Sequence, residues 1–432
     1  MHQAELATES RAHKFTRREM LIAAGAATAG TLLVPGYVNA ADTPETTKAK
    51  LGFISLSDCA PLVIAKEKGY FEKYGMKDVD VLKQSSWGAV RDNLELGSDG
   101  GGIDGAHLLT PMAYLIANGT ITKGNRKIPM YILARLNVNG QGISVSNKYK
   151  PLKLGLNAAP MMAEAQKARG SGDPITVAQT FPGGTHWAWI RYWLAAGGIN
   201  PDTDVKVVTV PPPQMVANMK TGVTDAFCVG EPWHQQLINQ QVGYTAVTTG
   251  QIWNRHPEKA FAMRGDYVDK NPKAAKALLM AVQEAQMWCD KMENKDELSQ
   301  IVSKRQWINA PVSDIVARYK GIIDFGDGRP IERNSPHIMQ FWKDFASYPY
   351  KSHDLWFLTE DIRWGILPQK TDTKALVNAV NREDLWRDAA KTLAQAAPKT
   401  SSRGVEKFFD GITFDPNNPE AYLKSVKLKK LV

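Results

Sequence analysis

The chain has 432 residues, 43% hydrophobic and 22% charged, with a net charge of +9. This composition suits a globular protein of about two or three domains and excludes a disordered or fibrous one. A basic chain can attract nucleic acid, anionic membranes or small anions, but no basic run carries interleaved aromatics, so no nucleic-acid partner is expected.

Residues 1–40 read as a targeting segment. Arg17 and Arg18 precede the apolar run LIAAGAATAGTLLV, and Val38, Asn39 and Ala40 offer a cleavage site. The paired arginines resemble a twin-arginine export signal. The run is short and rich in Ala, Gly and Thr, which argues against a permanent span. No cysteine follows it to take a lipid anchor. The expected product is soluble and periplasmic, with its signal cleaved near Ala40; an uncleaved anchor is the alternative.

After a polar linker, LGFISL (51–56) reads as a strand, Pro61 opens a helix that runs to Gly69, and VDVLKQ (79–84) is a second strand. Residues 83–111 then follow the order helix, Gly97, short strand, turn. PMYILARL (129–136) is a buried strand, and NVNGQG (137–142) breaks it; that break is taken as the first crossing between lobes. Thr185 is a good N-cap for THWAWIRYWLAAGG, in which Trp187, Ile190 and Leu194 at helical spacing look like core. Gly-Gly-Thr-His at a helix start reads equally as an anion site or a tight turn.

Residues 205–233 repeat the earlier order: VKVVTV as a buried strand, PPP as a turn, QMVANMKTG as a helix stopped at Gly222, DAFCV as a strand, GEP as a turn. Turns after strands of an open α/β sheet lie where ligands bind. Helix–Gly–strand is common in α/β proteins, so the repeat supports two similar lobes without requiring them. Residues 243–250 return to strand and turn and are taken as the second crossing, 271–296 are a long amphipathic helix, and 297–345 are mainly helical. The expected architecture is α/β, in two lobes. Lobe one covers 41–138 and 248–345, lobe two 139–247, and a helical wrap and tail 346–432.

Chemistry-bearing motifs are scarce. The eight histidines form no HxxxH or HExxH pair, so no metal is assigned, and Asp324-Phe-Gly-Asp-Gly reads as a turn before a calcium loop. GGGIDG lacks a phosphate-loop lysine, so no cofactor is called for. There is no GxSxG motif and no paired-carboxylate motif. Cys59, Cys228 and Cys289 form no CxxC; their odd number requires a free thiol or an intermolecular bond. Binding is favoured over turnover; an enzyme with His186 as base and Cys228 as nucleophile is the distant alternative.

DCAPLVIAKEKGYFEKYGM, KQSSWGAVRDNLELG, GGIDGAHLLTPM, MYILARLNVNGQGIS, FPGGTHWAWIRYWLAAGGI, VPPPQMVANMKTGVTDAFCVGEPW and HPEKA closely resemble the nitrate/bicarbonate-binding family of ABC-importer substrate-binding proteins. The resemblance runs from about residue 49 to about 400. It implies an α/β, two-lobed periplasmic-binding-protein fold with two crossing segments, a clamp closing on nitrate or a similar small oxyanion, and delivery to ABC permease and ATPase subunits in the inner membrane. It also carries the site onto this chain. Trp87 would offer its indole N–H, Gln141 its amide, and His186 a donor at the helix start. Pro212, Val229 and Gly230 would line the pocket, and Lys259 would supply positive charge. Nitrate only accepts hydrogen bonds, so the expected wall is donors and one cation, with no ionised carboxylate. Family members that bind bicarbonate are expected to carry an acidic residue near position 259 and a metal, so the lysine favours nitrate, with nitrite close behind. Receptors for bicarbonate, cyanate or a sulfonate, and a nitrate sensor acting on a regulatory partner, remain alternatives.

Overall fold

β-Branched and aliphatic runs between Gly- and Pro-containing turns build two five-stranded sheets among the described residues, beside a short two-stranded pair near the C-terminus (Glu406–Lys407 with Thr413–Phe414). The computed structural model describes residues 43–430; the expected export signal and cleavage site lie outside them. The first sheet has the order β2-β1-β3-β10-β4. Its strands are β1 (Lys48–Phe53), β2 (Asp78–Lys83), β3 (Gly105–Leu109), β4 (Met130–Arg135) and β10 (Lys259–Arg264). The second has the order β7-β6-β8-β5-β9. It contains β5 (Gln141–Ser146), β6 (Thr176–Gln179), β7 (Lys206–Thr209), β8 (Ala226–Gly230) and β9 (Gly243–Thr248).

The two sheets share one plan. Three parallel strands stand at one side, β2-β1-β3 in the first and β7-β6-β8 in the second. The next strand inward is antiparallel: β10 beside β3, and β5 beside β8. In each half that antiparallel strand is the one that arrives from the other half. β5 follows the first crossing and opens on Gln141, which pairs with Gly230, the last residue of β8. β10 follows the second crossing and opens on Lys259, which pairs with Leu109, the last residue of β3.

Several local expectations change. Residues 243–248 form edge strand β9, so the return to the first sheet runs through 249–258. VKVVTV is not a buried strand: β7 lies at the sheet edge with its residues half-buried or exposed. Only Lys295–Ser303 and Val312–Tyr319 are α-helical within 297–345, and much of the rest is irregular. Thr185 is the first residue of the helix Thr185–Ala196, whose N-cap is Gly184. Its hydroxyl caps nothing there and is used elsewhere. Asp324 and Asp327 accept from Gly326 N (2.8 Å) and Arg329 N (3.1 Å), so that loop spends its carboxylates on its own turns.

The long helix Pro272–Asp290 buries its Ala, Leu and Val face against the helix Ala60–Glu67. The C-terminal segment ties both halves together. Trp356, on the helix Lys351–Arg363, stacks on Trp189 of the second half with ring centroids 4.9 Å apart. Asp354 on the same helix accepts from Arg135 of the first half at 2.6 Å. Cys59, Cys228 and Cys289 are free and buried. Among the described residues, no helix is long and apolar enough to cross a membrane.

Candidate functional site

Where the sheets' C-terminal ends face each other, a closed polar cluster replaces hydrophobic packing. Lys259 Nζ is 2.9 Å from Asp58 Oδ2 and 2.9 Å from Glu258 Oε1, with all three side chains fully buried. Gln141 Nε2 donates to Asp58 Oδ2 at 2.9 Å, and His107 Nε2 contacts Asp58 Oδ1 at 2.7 Å. Glu258 also accepts from the Thr185 hydroxyl and, at Oε2, from Trp189 Nε1 at 3.0 Å. The halves are stitched nearby by Ser57 N donating to Glu231 O (2.7 Å) and Trp233 Nε1 donating to Ser55 O (3.1 Å).

Protonation follows from this geometry. Burial alone would raise the Asp58 carboxyl, but the charge of Lys259 and the His107 contact outweigh it and hold the group well below the ordinary carboxylate range. Asp58 is therefore ionised and only accepts. Gln141 must turn its NH2 toward it, which leaves Oε1 facing His186 Nε2 at 2.6 Å. His186 Nε2 then carries the proton, and Nδ1 accepts from Thr180 Oγ1 at 2.5 Å. Burial, reinforced by Lys259, pushes His186 well below 6.5, consistent with this neutral tautomer.

Burial lowers His107 as well, against the opposing pull of Asp58. Lys259 is disfavoured by burial, yet Asp58 and Glu258 raise it, so it stays cationic. The two carboxylates that share this lysine differ. Asp58 has His107 and Gln141 as further donors and goes down. For Glu258 burial dominates over Lys259 and Thr185, and it goes up from 4.5.

Five expected site residues meet here. Gln141, His186 and Lys259 are joined as described. Gly230 lies against Gln141: a Cβ there would sit 2.8 Å from Gln141 Oε1 and 3.3 Å from Asp58 Oδ2. Trp87, the first residue of the helix Trp87–Leu96, packs its ring 5.5 Å from that of His107 and 5.9 Å from Lys259 Nζ. Its buried Nε1 has no hydrogen-bond partner among the described residues. Such a donor costs free energy and points to an acceptor from outside the chain.

Two expected residues stand apart. The Val229 carbonyl accepts from His234 Nε2 at 2.8 Å. Pro212 is buried in a short 3-10 turn after edge strand β7, at the same end of the sheet, with no hydrogen bond into the cluster.

The expected all-donor wall is corrected. Two carboxylates, Asp58 and Glu258, sit within 2.9 Å of the lysine. Lys259 needs them because an isolated ammonium in a dry interior is prohibitively costly. His186 is also changed in role, since its proton goes to Gln141. Sequence reading missed Asp58, His107 and Glu258, although all three lie inside DCAPL, GAHLLT and HPEKA. The available signals differed: Asp58 follows the end of β1 by a few residues, His107 is a polar residue inside the apolar strand β3, and Glu258 directly precedes the chosen Lys259. The distant enzyme alternative loses its nucleophile: burial and Glu258 push the Cys228 thiol well up, and it makes no contact with His186.

Open hollows lie elsewhere. One of about 250 Å³ borders Arg135, Arg255 and Arg403, and one of about 990 Å³ lies at the opposite end of the first sheet, beside Lys48, Asp78 and Asp104. The cluster itself is shut from solvent, so a ligand enters when the halves part.

Residues 42–303 match the NMT1-like family. The chain is 58% identical to the nitrate/nitrite binding protein NrtA of a Synechocystis species, covering 96% of this chain and 98% of that protein. It is 44% identical to the bicarbonate-binding protein CmpA of a Synechococcus species, covering 96% and 98%. The crystal structure of the periplasmic nitrate-binding protein NrtA from Synechocystis matches with a TM-score of 0.87 and 62% identity, over 89% of this chain and 100% of that one. The chain belongs to the NMT1-like family and, within it, to the nitrate/bicarbonate-binding group of ABC-transporter substrate-binding proteins.

Proposed function

We propose that this protein is a periplasmic receptor that captures nitrate, with nitrite as a close second, and hands it to an ABC importer in the inner membrane. The observation that carries this reading is the unpaired, buried Trp87 Nε1 beside Lys259, Gln141 and Gly230 in one closed cluster. A flat monoanion that only accepts hydrogen bonds matches an indole N–H, an amide N–H and an ammonium. The similarity to proteins named for nitrate and nitrite binding supports the same choice. Trp87, Gln141 and Lys259 are assigned as donors, His186 as the residue that orients Gln141, and Gly230 as the gap that lets the ligand approach. Pro212 and Val229 are assigned to the surrounding wall. Export as a twin-arginine substrate with cleavage near Ala40 belongs to the same proposal.

Calorimetry of the mature protein tests it. Nitrate should bind in preference to bicarbonate, with or without calcium. For about four heavy atoms at roughly −1.5 kcal/mol each, a Kd near tens of micromolar is the size-based expectation. No heat and no thermal shift with nitrate or nitrite would refute the assignment. Mass spectrometry of the secreted form tests the cleavage site.

A further inference from the structure

The charges of the closed cluster do not balance for an incoming anion. With Lys259 Nζ paired at 2.9 Å to both Asp58 and Glu258, counting that lysine as +1, each carboxylate as −1 and His107, His186 and His256 as neutral puts the cluster at −1 before any ligand arrives. All of these side chains are fully buried. A nitrate beside them would make −2 in a dry enclosure with no countercharge, which low dielectric makes very unfavourable.

Resting on the nitrate reading above, we propose that the site takes up its anion together with one proton, and that the proton is held on Glu258 Oε1. The geometry selects that atom. Oε2 is occupied by Trp189 Nε1 at 3.0 Å, a donor that cannot become an acceptor. Oε1 has two partners, Lys259 Nζ at 2.9 Å and the Thr185 hydroxyl. When Lys259 turns an N–H toward the anion, Oε1 loses its countercharge and a solvent proton replaces it. The new O–H donates to Thr185 Oγ1, which can accept as well as donate. Asp58 is not the acceptor, because His107 and Gln141 remain on it.

The other groups facing Glu258 do not compete. His186 Nε2 is 3.8 Å from Oε1 and His256 Nδ1 is 3.7 Å from Oε2, and both rings are held neutral by burial. Cys228 faces it as an uncharged thiol. The starting state is prepared for the step, since burial already raises Glu258 above an ordinary glutamate.

The test is nitrate calorimetry on the mature protein at one pH near neutral, in buffers of different ionisation enthalpy. The slope of apparent enthalpy against buffer enthalpy should give an uptake approaching one proton. Affinity should fall by up to about tenfold per pH unit as pH rises. Glu258→Gln should abolish both effects. If that variant fails to fold, difference infrared spectroscopy of the unaltered protein decides: a protonated-carboxyl C=O stretch should appear on adding nitrate. Nitrate binding with no buffer dependence and a flat pH profile overturns this inference alone. Uptake that survives Glu258→Gln and vanishes in His107→Gln overturns the assignment to Glu258. Absence of nitrate binding overturns instead the function on which it rests.

Discussion

Gln141 Oε1 lies 2.6 Å from His186 Nε2, and that contact fixes which way the amide faces. His186→Phe keeps a ring of similar bulk and removes both nitrogen atoms. Gln141 Oε1 and Thr180 Oγ1 then lose buried partners, a cost of about 1–3 kcal/mol. With its amide no longer held, nitrate affinity should fall by about tenfold. Urea unfolding and calorimetry measure the two effects, and unchanged values in both would remove His186 from the positioning role.

Gly230→Ala tests the space beside that amide. The added methyl would sit 2.8 Å from Gln141 Oε1, closer than real Cβ contacts allow. Gln141 must shift, because the Gly230 backbone is held in a sheet pair. Nitrate Kd should rise at least about tenfold while stability falls by only about 1–2 kcal/mol. Wild-type affinity in the alanine variant would contradict the close approach.

Lys259→Met preserves length and removes the charge. Asp58 and Glu258 lose the cation they share, and breaking a buried pair this way costs about 3–5 kcal/mol. The expected result is a protein with a much lower Tm and no measurable nitrate binding. A variant as stable as the parent would show that Lys259 is not the counterion of these carboxylates.

Stability should fall from neutral toward acidic pH. Burial lowers His256 to about 3 and His353 to about 4, against an ordinary value of 6.5. In the unfolded chain both regain 6.5, so it binds more protons. The stability they contribute is complete above that pH and drains away as pH falls toward the folded values. By pH 4.5 each has given up about 3 kcal/mol. Asp58, held low in the folded state, adds a loss below its ordinary 3.8. Glu258 works in the opposite sense: its folded value is raised, so its contribution is present below 4.5 and lost as pH rises. A Tm series from pH 7.5 to 4.5 should hold level to about pH 6.5 and decline below it, and a flat profile throughout would contradict the buried neutral histidines.

The thiols give a simpler check. Burial raises all three, Cys59 and Cys228 with help from neighbouring carboxylates, so none is a useful thiolate near neutrality. A disulfide reagent should titrate no thiol quickly in the folded protein and all three after denaturation. One fast thiol in the native state would mean a cysteine is exposed.

Much of this was legible in the chain. Punctuation placed a helix ahead of Gly97 and another ahead of Gly222, and both glycines have the positive φ of helix exits. The break after Arg135 was read correctly because Asn and Gly interrupt an apolar strand. GYTAVT was read as strand and is strand β9; the return to the first sheet follows it, because β9 pairs with β5, a hundred residues upstream, before the chain crosses. VKVVTV was misread as buried because β-branched composition fits an edge strand as well as a central one. Asp58 and Glu258 were passed over for a related reason. A carboxylate's partner is a matter of tertiary distance, and Lys259 is 201 residues from Asp58. Reasoning from the ligand's chemistry supplied the donors; only the fold showed that a buried ammonium brings its own anions.

Gln141 and Lys259 each open the strand by which the polypeptide re-enters a sheet, so the two segments that bear any bending also carry the grip. Swinging the halves apart would draw Gln141 from Asp58, and Glu258 from Thr185 and Trp189, in a single movement. Release of cargo is then built into the act of opening, and a permease that pries the halves apart would need no separate signal to empty its receptor.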